Sequence, residues 1–340
     1  MMRSHTCGEL SGKDAKKLVS LCGWVHTRRD HGGKIFVDLR DRYGLTQVVF
    51  DPQSSVDAHG LAEHLGREWV LRVEGVVVER KAGMKNPKMK TGDVEVVVKS
   101  LSIIGKSDIP PIEVSDSVVA GEDLRLKYRY LDLRRPIMQE HLVLRHRLAM
   151  ASRNFLSSQN FLEIETPLLV KSTPEGARDY VVPSRVNPGR FYALPQSPQL
   201  YKQILMVAGF DRYFQIARCL RDEDLRTDRQ PEFTQIDLEM SFCSQNDIFS
   251  VVEGLMVALW KEAGIKLKPS FERLAYRDAM NRFGSDKPDV RFALEIHDVT
   301  SIVKNVEFSV FQSVVAKGGV VKCLPVSGGA SFSRADLDLY

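Results

Sequence analysis

No stretch of the 340-residue chain approaches the roughly 20 apolar residues that cross a bilayer. Hydrophobic residues make up 43% and charged ones 27%, the balance of an ordinary globular chain. Met1-Met2-Arg3-Ser4-His5 has no apolar run behind it and does not read as a signal peptide. Cysteine is sparse: Cys7, Cys22, Cys219, Cys243 and Cys323 form no C-x-x-C pair. That argues against a zinc site or a disulfide framework and for free thiols in a reducing cytoplasm. The glycine cradles that hold nucleotides are also missing. There is no G-x-x-x-x-G-K-[ST] loop, no G-x-G-x-x-G after a strand and no H-E-x-x-H, so a nucleotide site here must be built from side chains. No internal repeat or low-complexity tract is present.

Charge of one sign is scarce too, with a net of +4. The surplus falls in residues 1–105, which hold 17 Lys/Arg against 13 Asp/Glu, while the remainder balances at 31 of each. A mildly basic N-terminal module fits a polyanionic partner and equally fits an ordinary surface surplus. Residues 19–30, 34–41, 45–50, 68–80 and 94–104 predict five strands, with a helix over 56–65 between the third and fourth. That order predicts an OB-type barrel. By alternation Cys22, Trp24, His26 and Arg28 share one face, with Phe36, Asp38 and Arg40 beside them. Mixed aromatic and cationic faces stack unpaired bases and hold phosphates. The competing reading makes Trp24 and Phe36 core residues.

Asp108-Ile109-Pro110-Pro111 continues neither strand nor helix, so residues 106–136 read as a linker. Residues 141–160 predict a helix with Leu144, Leu148, Ala151 and Phe155 on one face, and residues 162–166 a strand ended by Pro167. Residues 213–221 and 233–242 predict an antiparallel pair joined by a charged loop. In the second of these, Thr234, Ile236, Leu238 and Met240 would face the core, and Gln235, Asp237 and Glu239 a polar cleft or solvent. Residues 251–264 predict a helix. From Phe292 onward, Val-rich strands and glycine pairs suggest a third module. The loop from Arg221-Asp222-Glu223-Asp224 to Asp237 offers arginines able to fork onto phosphates. It also fits a solvated loop of weak surface ion pairs.

The run from Arg221 to Asp237 resembles motif 2 of class II aminoacyl-tRNA synthetases in its aspartyl form. Phe161-Leu162-Glu163-Ile164-Glu165-Thr166-Pro167 resembles motif 1. Thr173-Pro174-Glu175-Gly176-Ala177-Arg178-Asp179-Tyr180 and the segment from Leu194 to Lys202 are similar to that family's flipping loop and aspartate-binding segment. Cys22-Gly23-Trp24-Val25 with Arg28-Arg29-Asp30 resembles its anticodon-binding barrel. The likeness covers essentially the whole chain and points to the bacterial-type aspartyl-tRNA synthetases.

The resemblance implies an α+β multidomain chain. Residues 1–105 would form a five-stranded OB β-barrel and 106–136 a linker. Residues 137–290 would carry the antiparallel catalytic sheet with flanking helices, and 291–340 the start of an inserted α+β domain. Arg221 would be catalytic, contacting the α-phosphate of ATP and the substrate carboxylate. Asp222, Glu223, Gln230 and Phe233 would complete the ATP site, with Phe233 stacked on adenine. Glu175, Gln199, Lys202, Arg221, Asp237 and Glu239 would bind aspartate. Arg28, Arg29, His31, Phe36, Gln47, Gly83 and Glu95 would meet the anticodon. Pro167 would lie in a homodimer interface. ATP, Mg2+, L-aspartate and tRNA(Asp) are the implied reactants and partners of a cytoplasmic ligase. His31 and Gly83 resemble the subgroup that also charges tRNA(Asn). The resemblance further implies that motif 3, the Mg2+ carboxylates, a second aspartate-binding arginine and a His-containing loop lie outside these 340 residues. No metal ligand is therefore expected here, and the chain alone is expected to make little adenylate. A truncated, non-catalytic tRNA-binding protein is the alternative reading.

Overall fold

A computed structural model describes residues 2–117, 120–173, 175–291 and 294–339. Pro174 of the loop motif and Phe292, where the third module was expected to begin, lie outside the described residues. The chain divides into two compact units, residues 1–242 with 258–265, and residues 243–257 with 266–340.

The first unit opens with β1 (Leu18–His31), β2 (Lys34–Asp41), β3 (Gly44–Phe50), α1 (Val56–Ala62), β4 (Val70–Glu79) and β5 (Val94–Gly105). The strands close into a barrel in the order β1-β2-β3-β5-β4. Alternation places Val19, Leu21, Val25, Ile35, Val37, Leu39, Leu71, Val73 and Val96 inside, each no more than 2% exposed. Burial of these side chains supplies the main driving force for the barrel. Closure needs one glycine in particular: a Cβ on Gly75 would lie 2.3 Å from Val97 O, where β4 and β5 slip register.

A bulge in β1 corrects the expected outer face. Trp24 pairs with Arg40 and Val25 with Leu39, but Thr27 then pairs with Asp38 and Arg29 with Phe36. The extra residue, His26, moves every later side chain to the opposite face. Arg28, expected beside Trp24, instead lies opposite Val37, and its Nε donates to Ala62 O at the end of α1 (3.0 Å). Arg40 and Trp24 are not free for bases either. Arg40 is 6% exposed and pairs with Glu68 at 2.7 Å. Arg134 stacks 5.0 Å from the Trp24 ring centroid and also reaches Glu68 at 2.7 Å.

The linker carries two short helices, α2 (Glu122–Lys127) and α3 (Arg129–Asp132), before α4 (Pro136–Ser158). They gather around Asp132, which is fully buried and ion-paired with Arg125 (3.0 Å), Arg129 (2.7 Å) and Arg135 (3.0 Å). α4 starts before the predicted residue 141 because Pro136 occupies its first turn and Arg135 is extended, an arrangement proline favours.

β6 (Leu162–Glu163), β7 (Val181–Pro183), β8 (Phe191–Ala193), α5 (Gln199–Val207), β9 (Arg212–Leu220) and β10 (Glu232–Met240) follow. β9 and β10 form the expected antiparallel pair, with Ile236 opposite Ile216 and Asp237 opposite Gln215. β6 joins β9 in parallel through two residues only, shorter than the predicted strand. β7 and β8 make a separate hairpin.

α6 (Gln245–Glu262) precedes the second unit's α7 (Tyr276–Phe283), β11 (His297–Asp298), α8 (Thr300–Val303), α9 (Ser309–Ala316), β12 (Lys322–Cys323) and α10 (Arg334–Leu337). The Val-rich strands expected here reduce to the two-residue pair β11–β12. Val310, Phe311, Val314 and Val315 repeat every three to four residues and form a face of α9 instead. Among the described residues no helix is long and apolar enough to cross a membrane.

Candidate functional site: a charged cleft on the β9–β10 sheet and a polar strip on the barrel

The polar face of β10 is not a plain solvated one. Asp237 is 6% exposed, whereas Ile236 on the supposed core face is 36% exposed. The reason is what covers each face. Ile216 and Ile236 line an open groove of about 410 Å³ against α4, with Leu144 and Leu148 opposite. The other face lies under α5, and Lys202 of that helix reaches down between two carboxylates. Its Nζ sits 3.0 Å from Asp237 Oδ1 and 3.2 Å from Glu239 Oε2. Burial alone would push the Lys202 ammonium down, but Asp237 and Glu239 outweigh it and hold the group above its ordinary value. Burial lifts the Asp237 carboxyl against the pull of Lys202. Asp237 Oδ2 is buried and makes no hydrogen bond among the described residues. Such an acceptor is costly unless a donor arrives. Nearby, Tyr213 is fully buried, and its hydroxyl donates to Gln215 Oε1 (2.9 Å), which also accepts from Thr166 Oγ1 (3.0 Å).

Three other predicted residues approach through the turn before α5. Glu175 accepts from Ser197 Oγ (2.8 Å) and Thr173 Oγ1 (3.3 Å). Arg221 Nε donates to Gln196 O (3.4 Å), so Glu175 and Arg221 are anchored on adjacent residues. Gln199 opens α5 one turn before Lys202. Arg221 also rests on the Phe233 ring, 5.1 Å from its centroid, a cation–π contact that holds both groups in place.

Arg221, Glu223, Gln230 and Phe233 line one cavity of about 370 Å³ together with Asp224 and Arg229. Asp222 is not among its walls. It lines an adjoining hollow of about 340 Å³ with Ala177 and Arg178, and its N–H donates to Arg178 O (3.0 Å). Arg229 reaches Glu223 at 3.4 Å. Arginine and acid thus alternate around a hollow with an aromatic wall and no glycine cradle. A cavity of about 650 Å³ against α6 is lined by Phe249, Met256 and Phe271 and contains none of the predicted site residues.

On the barrel the structure brings together Arg29, Phe36, Gln47 and Glu95. Arg29 Nη2 donates to Asp38 Oδ1 (2.9 Å) and Gln47 Oε1 (3.2 Å), and Gln47 Nε2 donates to Glu95 Oε2 (2.8 Å). Phe36 is half-buried beside this strip, opposite Arg29. Sequence reasoning put Asp38 on this face without giving it a role, and missed Arg80. Arg80 is 8% exposed, lies 3.7 Å from Glu95, and keeps Nη2 buried without a hydrogen-bond partner among the described residues. The signal for Asp38 was a carboxylate inside an apolar strand. Arg80 follows a strand end and gave none. His31, the exposed last residue of β1, and Gly83, on an exposed turn at φ 85° in the left-handed region, stand outside this hydrogen-bonded strip. Pro167 is exposed next to Leu168 and Leu169, which are 50% and 52% exposed.

Residues 121–316 match the family model described as tRNA synthetases class II (D, K and N), and residues 19–104 match the OB-fold nucleic acid binding domain. An aspartate–tRNA(Asp/Asn) ligase from Desulfatibacillum aliphaticivorans is 57% identical over 339 residues, covering 99% of this chain and 57% of the relative. One of the same name from Thermodesulfovibrio yellowstonii is 56% identical, again covering 99% and 57%. The chain therefore spans somewhat over half the length of these curated relatives. Among solved structures, the asparaginyl-tRNA synthetase of Pyrococcus horikoshii complexed with asparaginyl-adenylate superposes with a TM-score of 0.68 at 29% identity, covering 77% of this chain and 58% of that one.

Proposed function

The chain belongs to the class II tRNA synthetases of the D, K and N group, and from that premise we propose that the protein is an aspartate–tRNA ligase. It activates L-aspartate with ATP and passes it to tRNA(Asp) and also to tRNA(Asn). One observation carries the reading: a buried lysine, Lys202, held between Asp237 and Glu239 in the cleft. A buried cation there selects a side-chain carboxylate. Asparagine would offer it a neutral amide in place of a carboxylate, and lysine would set cation against cation. The unsatisfied Asp237 Oδ2 suits the substrate's α-ammonium, and Glu175 and Gln199 close the site from the loop and from α5.

In the first step an oxygen of the aspartate α-carboxylate attacks the α-phosphorus and pyrophosphate leaves. A ribose hydroxyl of the tRNA then attacks the activated carbonyl and AMP leaves. Two anions must meet in line, so positioning and cations dominate the chemistry. Arg221 fills that place, braced on Phe233, whose free face takes the adenine. Glu223 and Gln230 hold the purine edge, and Asp222 fixes the loop behind them. Among the described residues no group of three or more His, Cys, Asp or Glu could hold a metal ion. Mg2+ would accompany the ATP phosphates.

The Arg29–Gln47–Glu95 strip with Phe36 reads unpaired anticodon bases by stacking and by edge hydrogen bonds. His31 and Gly83 support dual tRNA use, as do the names of the relatives. Exposed Pro167, Leu168 and Leu169 support a homodimer through this segment, and the family's role in translation supports a cytoplasmic location. The test is ATP–pyrophosphate exchange with L-aspartate, L-asparagine and L-lysine, followed by charging of both tRNA transcripts, on the chain extended with the remaining length of its 57%-identical relative. Exchange with aspartate alone, and charging of both tRNAs, are expected. Exchange driven by asparagine or lysine would overturn the reading.

A further inference from the structure

We infer that Gln196 is a positioning residue that latches residues 175–180 over the cleft with Glu175 turned inward. The inference rests on the reading of that cleft as the aspartate site. Gln196 is 3% exposed, and its side-chain amide pairs with Ala177 as a neighbouring strand would. Nε2 donates to Ala177 O (2.9 Å), and Ala177 N donates to Gln196 Oε1 (3.1 Å). The second hydrogen of Nε2 goes to Asp179 Oδ1. Asp179 in turn accepts from Ser172 Oγ (2.6 Å) at the base of the loop.

Residues 175–180 include no buried apolar side chain, so hydrogen bonds decide where the segment lies. Gln196 supplies three of them from one rigid position. Its own carbonyl accepts from Arg221, and the next residue, Ser197, holds Glu175. Loss of the amide would leave the Ala177 N–H without its partner and release Glu175 from the cleft. The cavity lined by Arg221, Glu223, Gln230 and Phe233 meets only the Gln196 main chain, which substitution retains, and the loop, which borders the adjoining Asp222 hollow, is bonded to Asp222 through Arg178 O alone. Gln196 therefore governs amino-acid affinity far more than ATP affinity. Hydrogen bonding by Ser172 and Gln196 holds the Asp179 carboxyl below its ordinary value, in keeping with an ionised acceptor at the centre of the latch.

The test is hydrogen exchange by mass spectrometry on the unliganded 340-residue chain, with calorimetric titration of L-aspartate and, separately, ATP. In Q196A the peptide containing Ala177 should exchange about tenfold faster, while barrel and β9–β10 peptides keep their protection and report on folding. Aspartate affinity should fall about tenfold with that of ATP unchanged. Q196E, which sets a carboxylate against Asp179, should behave like Q196A, and adding D179N should restore protection by returning a donor to the pair. Should Q196A fail the folding control, D179A carries the same loop measurement. Unchanged exchange at Ala177 in Q196A overturns the latch, as does a parallel loss of aspartate and ATP affinity. A wild-type loop that is protected, loosens in Q196A and yet binds no aspartate would sink the ligase reading while upholding the latch.

Discussion

Lys202 and Glu68 show how single buried charges are used twice in this molecule. Replacing Lys202 by methionine keeps the stem and removes the charge that pairs with Asp237 and Glu239. Aspartate binding by calorimetry should weaken at least a hundredfold, on the order of 3 kcal/mol for breaking a buried ion pair. Retained affinity would mean that another group meets the substrate carboxylate. Glu68 adopts a left-handed backbone, φ 62°, unusual for a residue with a Cβ. Burial opposes its ionisation, but Arg40 and Arg134 overcome burial and hold its carboxyl below the ordinary value. A depressed folded value contributes stability above the unfolded value of about 4.3, lost as pH falls through the folded one. Glu68→Gln should therefore cost about 3 kcal/mol near pH 7, and the gap to wild type should close toward pH 3. A gap constant with pH in thermal melts would argue that the carboxylate acts by shape alone.

At the level of elements, the bulge in β1 and the cover on β10 decide which residues can function. Alternation put Arg28 with Trp24. One extra residue at His26 instead handed the outer face to Thr27 and Arg29. Arg29→Ala should weaken binding of a tRNA(Asp) anticodon stem-loop by about 1–3 kcal/mol, more than Arg28→Ala does. Arg28→Ala should chiefly lower the melting temperature through its lost bond to Ala62 O. A larger affinity loss from Arg28→Ala, measured by fluorescence anisotropy, would reverse that assignment. β10 was legible as a strand with one polar face, because Gln235, Asp237 and Glu239 alternate without interruption. Which face would be more deeply buried was not legible. It depends on α5 and Lys202 arriving from 35 residues upstream, a distance no local pattern reports.

Across the whole molecule, the barrel carries its own core. The buried cluster runs from Cys7 to Leu101, with Trp69 and Ile103 packed against it, and among the described residues draws no member from beyond the barrel. Residues 1–105 expressed alone should unfold cooperatively and bind the anticodon stem-loop with an affinity that falls as salt rises. A non-cooperative melt would show that Arg134 and the linker are needed to hold Trp24 and Glu68. The sequence by itself determined the barrel and the β9–β10 pair, since each follows from short-range periodicity, and its contiguous motifs named most of the residues proposed for the cleft. It could not determine the phase of β1 after His26, the helical course of residues 309–316, or the partners of Arg80, Glu68 and Gln196. Those were decided by the tertiary structure. Register across strands, and the burial of a charge against a distant opposite charge, are set by where the chain returns in space rather than by the residues on either side.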